Sequence, residues 1–108
     1  MTHSDLIKNL TDESFEKSIQ LGVTLVDFYA VWCGPCRMLS PIIEEIAKNF
    51  KDKAQIAKVD IDSEQKIAAE YQVTSVPTLI LFKDGKEINR IIGLRDVDAI
   101  NEFVSSAL

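Results

Sequence analysis

The sequence predicts an α/β domain whose sheet mixes parallel and antiparallel strands, and three features carry that expectation. Residues 23–30 are apolar almost without interruption, as in a central strand covered on both faces. Residues 35–50 instead repeat their apolar side chains at helical spacing. Met38, Leu39, Ile42, Ile43, Ile46, Ala47 and Phe50 share one stripe, with Glu44, Glu45, Lys48 and Asn49 opposite. Towards the C-terminus, residues 78–82 and 87–92 flank Lys83-Asp84-Gly85-Lys86, whose Asp-Gly centre suits a tight type I′ hairpin. Strands linked through a helix pair in parallel and strands linked by a tight hairpin pair antiparallel, so one sheet should hold both kinds.

In chain order, Leu6-Ile7-Lys8-Asn9-Leu10 reads as a short first strand. Thr11 is placed to cap a helix over residues 12–21, with Phe15 and Ile19 inward at a spacing of four and Gly22 ending it. Asp27 is the exception within the apolar run that follows. Pro41 is expected to kink the long helix. Residues 54–61 alternate around Ile56, Lys58 and Val59 as a third strand. Asp62, with Gln65 three residues on, resembles a capping box opening a short helix to Tyr71. After the hairpin, a last helix from about Asp96 puts Val97, Ile100, Phe103 and Val104 on one face. The order is β-α-β-α-β-α-β-β-α, with no repeat or low-complexity segment.

A chain of 108 residues fits one domain spanning residues 1–108. Its formal net charge of -5 argues against a nucleic-acid partner, which would call for Lys and Arg gathered on one face. Met1-Thr2-His3-Ser4-Asp5 lacks the basic and apolar regions of an export signal, and no apolar run is long enough for a bilayer. A cytoplasmic setting without a membrane partner is the expectation. Two cysteines form no disulfide framework, so stability has to come from the core.

Both cysteines stand in Trp32-Cys33-Gly34-Pro35-Cys36, between the buried strand and the long helix. A strand that delivers a cysteine to a helix N-terminus sets its sulfur among unpaired N–H groups, where the helix dipole favours a thiolate. The thiolate is the form that attacks disulfides, so the placement points to thiol–disulfide exchange. C-x-x-C alone also occurs in zinc sites, but those need about four ligands, and beyond the two cysteines the chain offers only His3 on a terminal tail.

The element order, together with Asp27-Phe28-Tyr29-Ala30-Val31-Trp32-Cys33-Gly34-Pro35-Cys36-Arg37-Met38, resembles the thioredoxin family. The resemblance continues through Ala57-Lys58-Val59-Asp60, Val76-Pro77-Thr78-Leu79 and Gly93, nearly the whole chain. It implies the thioredoxin fold, a central five-stranded mixed sheet flanked by helices on both faces, and general protein-disulfide reductase activity. It also implies a monomer with no bound cofactor. Disulfide-containing proteins would be its substrates, and a flavoprotein thioredoxin reductase drawing on NADPH would recycle it.

Cys33, at the exposed end of the motif, reads as the nucleophile, and Cys36, one turn further in, as the resolving thiol of a redox-active disulfide. Gly34 admits a close backbone approach, and Pro35 restrains the loop while starting the helix. By resemblance, Asp27 lies behind the pair as general base for Cys36 through water, and Lys58 faces that carboxylate and tunes it. Val76-Pro77 matches the family's cis-proline loop, which would let the Val76 backbone pair with an extended substrate. Trp32, Gly93 and Leu94 match positions around the substrate groove. The chain departs from the familiar bacterial pattern at Tyr29, Arg37, Ser75 and Leu94, of which Ser75 and Leu94 border the groove. Two other readings remain: a disulfide oxidase or isomerase with a less reducing pair, and a non-catalytic binding subunit of a larger assembly.

Overall fold

Val23–Tyr29 forms the central strand β2, and six of its seven residues are buried because both neighbours and both faces are covered. In the computed structural model, which describes residues 5–108, it is flanked in sequence by β1 (Ile7–Asn9), α1 (Phe15–Ser18) and α2 (Gly34–Asn49). Then come β3 (Gln55–Asp60), α3 (Gln65–Glu70), β4 (Thr78–Lys83), β5 (Lys86–Ile92) and α4 (Val97–Ser105). His3 lies outside the described residues. The sheet runs β1-β3-β2-β4-β5, with β3 parallel to β1 and β2, and β4 antiparallel to β2 and β5. This is the mixed five-stranded sheet expected. Asp84 and Gly85 both take positive φ in the tight turn between β4 and β5, which Asp and Gly tolerate best.

Side chains alternate across β2, and each face receives its own helices. Val23 and Leu25 join Leu39, Ile43 and Ile46 of α2 and Ile100 and Val104 of α4. Val26 and Phe28 join Phe15 of α1 and Ile67 of α3. Asp27 and Tyr29 share the parity of Leu25 and belong to the α2 side; on β3, Lys58 shares that side with Ile56. Among the described residues no helix is long and apolar enough to cross a membrane.

Two helices differ from expectation. The first spans only Phe15–Ser18, although Phe15 and Ile19 do point inward. Thr11 does cap the segment, its Oγ1 accepting the Ser14 N–H at 3.1 Å, but residues 12–14 form a turn rather than helix, and there Asp12 donates its N–H to Glu64 Oε1 and accepts the Ile67 N–H on Oδ1, at 2.8 and 2.9 Å. At the other end, Gln55 Nε2 takes the Ser18 carbonyl at 2.8 Å. At α3, Gln65 Nε2 does reach back to the Asp62 carbonyl at 3.1 Å, but the helix starts at Gln65, and its third N–H goes not to Asp62 but to the Asp12 carboxylate 55 residues away. The long helix continues through Pro41, which sits on its exposed side. Met38, expected inward, is 64 % exposed beside the cysteine motif.

Candidate active site

The end of β2 and the start of α2 place the cysteines. Cys33 is the N-cap of α2 in extended conformation, and its Sγ accepts the Cys36 N–H at 3.2 Å. A sulfur thus occupies the position where a Ser or Asp oxygen caps most helices, within reach of the positive end of a 16-residue helix. Pro35 lies in the first turn, where its missing N–H costs nothing. Cys33 and Cys36 are joined as a disulfide with Cα atoms 5.2 Å apart. Nothing stands within 4 Å of where a Cβ on Gly34 would point, so that side of the motif is open to an approaching backbone.

A second loop closes over Cys33. The Val76-Pro77 bond is cis, and the Val76 carbonyl oxygen is 3.7 Å from Cys33 Sγ. The Pro77 carbonyl in turn accepts the Gly93 N–H at 2.9 Å, which carries Gly93 and the adjoining, partly exposed Leu94 to the same rim. Gly93 has φ of 99°, a region L side chains rarely adopt. On the opposite side, Trp32 is 65 % exposed, and its ring is tethered by Nε1 donating to Asp62 Oδ2 at 2.9 Å. The fold therefore brings Trp32, Gly34, Pro35, Val76, Pro77, Gly93 and Leu94 to one rim around the disulfide.

Asp27 lies on the face of β2 covered by α2. It is 1 % exposed, and neither carboxylate oxygen has a hydrogen-bond partner. Burial drives its pKa up to about 7, against the opposing pull of Lys58 in register on β3. Lys58 forms no ion pair with it; the ammonium sits 4.6 Å from the centroid of the Tyr29 ring. A cavity of about 330 Å³ runs from Cys36 along Tyr29, Ala30, Arg37 and Ser40 to Lys58. A carboxyl that gains and loses its proton near neutrality is suited to accept one.

Three residues have contacts at the site that the sequence reading does not assign. Asp62, which holds Trp32, left no local signal, since its partner is 30 residues away. Arg37 donates to the Val31 carbonyl at 2.9 Å and braces the loop before Cys33. Tyr29 could have been found, because a residue two positions after Asp27 in a strand must share its face.

Comparison with known proteins agrees with this geometry. The family model for thioredoxin matches residues 6–106. Thioredoxins of Staphylococcus saprophyticus and Staphylococcus haemolyticus are each 43 % identical over 102 residues, which cover 94 % of this chain and 98 % of each relative. A Staphylococcus aureus thioredoxin is 42 % identical over the same span. A paired Cys-x-x-Cys at a helix N-terminus, on a sheet of this topology and in a sequence matched over residues 6–106, places the chain in the thioredoxin family of protein-disulfide reductases.

Proposed function

We propose that residues 1–108 act as one monomeric domain that reduces protein disulfides in the cytoplasm, with Cys33 attacking and Cys36 resolving. The Cys33 thiolate attacks one sulfur of a substrate disulfide, the substrate S–S bond breaks, and one substrate thiolate leaves. Cys36 then gives its proton to Asp27, through water in the cavity beside Cys36, and attacks Cys33 Sγ. The second substrate thiolate departs, and two electrons have passed to the substrate. The observation that carries this assignment is the capping geometry: Cys33 Sγ, not Cys36 Sγ, faces the free N–H at the head of α2.

Substrate docks on the rim: the extended segment pairs with the Val76 backbone beside Pro77, and Trp32 and Leu94 supply apolar walls over Gly34, Pro35 and Gly93. Lys58 moderates Asp27. The sulfurs carry the electrons without a bound cofactor, and an NADPH-dependent flavoprotein, thioredoxin reductase, restores the dithiol. Equilibration in dithiothreitol redox buffers with thiol trapping tests the direction. A midpoint near about -270 mV is expected of a reductant, whereas one near about -120 to -180 mV would make the protein an oxidant or isomerase. Cys33→Ser should abolish turnover, while Cys36→Ser should trap a mixed disulfide on Cys33. Trapping on Cys36 in Cys33→Ser would reverse the roles.

A further inference from the structure

We infer that Tyr29 is a positioning residue for the resolving step: its ring holds the Lys58 ammonium next to Asp27 and so sets how strongly that charge acts on the carboxyl. This inference rests on the reading of Asp27 as the proton acceptor. Three observations carry it. Asp27, Tyr29 and Lys58 occupy one face of adjacent strands, with Lys58 in register with Asp27 and Tyr29 two residues along. The ammonium lies over the Tyr29 ring at 4.6 Å, within the range of a cation–π contact, and not on the carboxylate. Both unpartnered oxygens of Asp27 thus see the lysine only at a distance.

Tyr29 and Lys58 also form a wall shared by two cavities. On one side is the 330 Å³ space that reaches Cys36. On the other is a space of about 260 Å³ lined by Asn9, Thr11, Asp60, Ser63 and Glu64. A lysine on a flexible stem would ordinarily extend to water, here towards Asp60 and Glu64. The Tyr29 ring, two residues along β2 from Asp27, offers the ammonium an alternative site. Burial, with Asp60 and Asp27 adding to it, raises the phenol pKa above its ordinary 10.0, so the ring stays neutral wherever the carboxyl titrates.

The remaining charged and titratable neighbours are few. α2 contributes Cys36 and, at the cavity mouth, Arg37; β3 contributes Asp60 besides Lys58; on β4 the residue in register with Asp27 is Leu79, which carries no charge. Removing the ring should let Lys58 swing outward, weakening the cation whose charge favours the ionised carboxyl, so the Asp27 midpoint should rise.

The test is a carbon-13 titration of the Asp27 side-chain carboxyl in the oxidised protein between pH 5 and 9. Tyr29→Leu should raise the midpoint by about half a pH unit and Tyr29→Phe, which keeps a ring, should leave it nearly in place. In a Lys58→Met background, Tyr29→Leu should add nothing further. A midpoint that stays or falls in Tyr29→Leu, or a rise that persists without Lys58, would overturn the inference. Should Tyr29→Leu fail to fold, the wild-type protein decides: ring currents should shift the Lys58 ε-methylene protons upfield, and unshifted protons would remove the contact. The pH profile of mixed-disulfide resolution reports separately on Asp27. If the carboxyl midpoint moves and that profile does not follow, Asp27 is not the base, while the Tyr29–Lys58 coupling stands.

Discussion

The two faces of the sheet are filled in opposite ways. On the α1/α3 side, Phe15, Phe28, Tyr71 and Phe82 form an aromatic cluster with ring centroids 5.2 to 6.2 Å apart. The buried polar groups there have partners: Gln55 Nε2 donates to Thr24 Oγ1 at 3.3 Å, and Thr78 Oγ1 donates to the Ser75 carbonyl at 2.6 Å. On the α2/α4 side the filling is mostly aliphatic, with Phe50 and Phe103 at its margin, and the face includes a carboxylate with no hydrogen-bond partner. One strand supplies both environments, since Val26 and Phe28 face one way and Asp27 and Tyr29 the other. The two-residue alternation lets a fully satisfied core lie back to back with a site that keeps a costly group. The costly group is thereby confined to the face that carries the chemistry.

The largest expected effect tests that separation. Phe82→Ala empties a fully buried ring from the aromatic cluster and should cost about 3–5 kcal/mol by chemical denaturation. The oxidised and reduced forms should lose it equally, leaving the Cys33–Cys36 midpoint unmoved. A midpoint displaced by more than about 30 mV, equivalent to about 1.4 kcal/mol, would mean that the faces communicate.

Asp27→Ala tests the other face, with the opposite sign. The folded carboxyl holds its proton up to about pH 7, whereas an exposed one releases it near 3.8. Below about pH 4 both states are protonated and the group is neutral in its effect. Between about pH 4 and 7 the unfolded chain ionises first and the native state loses stability, by up to on the order of 4 kcal/mol above pH 7. The alanine variant should therefore unfold at higher denaturant than the parent at pH 8, lose that advantage by pH 4, and turn over more slowly. Parallel stability curves for the two proteins from pH 4 to 8 would show that Asp27 ionises as freely in the fold as outside it.

What the sequence disclosed follows the same division. Which face each residue buries was legible, because burial is written in local period: the run over residues 23–30, the stripe through Leu39, Ile43 and Ile46, and Phe15 with Ile19. The Cys-x-x-Cys at a strand-to-helix junction was legible for the same reason. Met38 misled, since it extends an apolar stripe yet lies at the rim, where period cannot distinguish core from exposed apolar wall. Contacts between remote segments left no trace. Nothing near Asp12 announces that it caps a helix beginning at Gln65, and nothing near Asp62 announces Trp32. Polar side chains are matched by geometry across the fold, and a one-dimensional pattern carries no record of that pairing.

Asp12→Ala gauges how much such a remote match contributes. Losing the carboxylate that accepts the Ile67 N–H should cost about 0.5–2 kcal/mol, as for an ordinary N-cap, with turnover unchanged. Amide exchange should locate the loss in α3 and spare α2. Uniform loss of protection would mean that Asp12 supports the whole domain and not one helix end.

The smallest effect belongs to the exposed counterpart of that match, Asp62 with Trp32. The bond is solvent-accessible, so its net worth is about 0.5–1.5 kcal/mol, and Asp62→Ala should leave stability within that margin. Its weight falls on docking, because a mostly exposed indole released from its tether must be re-ordered each time a substrate segment packs against it. The expected result is a KM for a protein disulfide raised about two- to fivefold with kcat nearly constant, the pattern of lost uniform binding. A fall in kcat at unchanged KM would place Trp32 in the transition state instead, and the rim would then belong to the chemistry rather than to recognition.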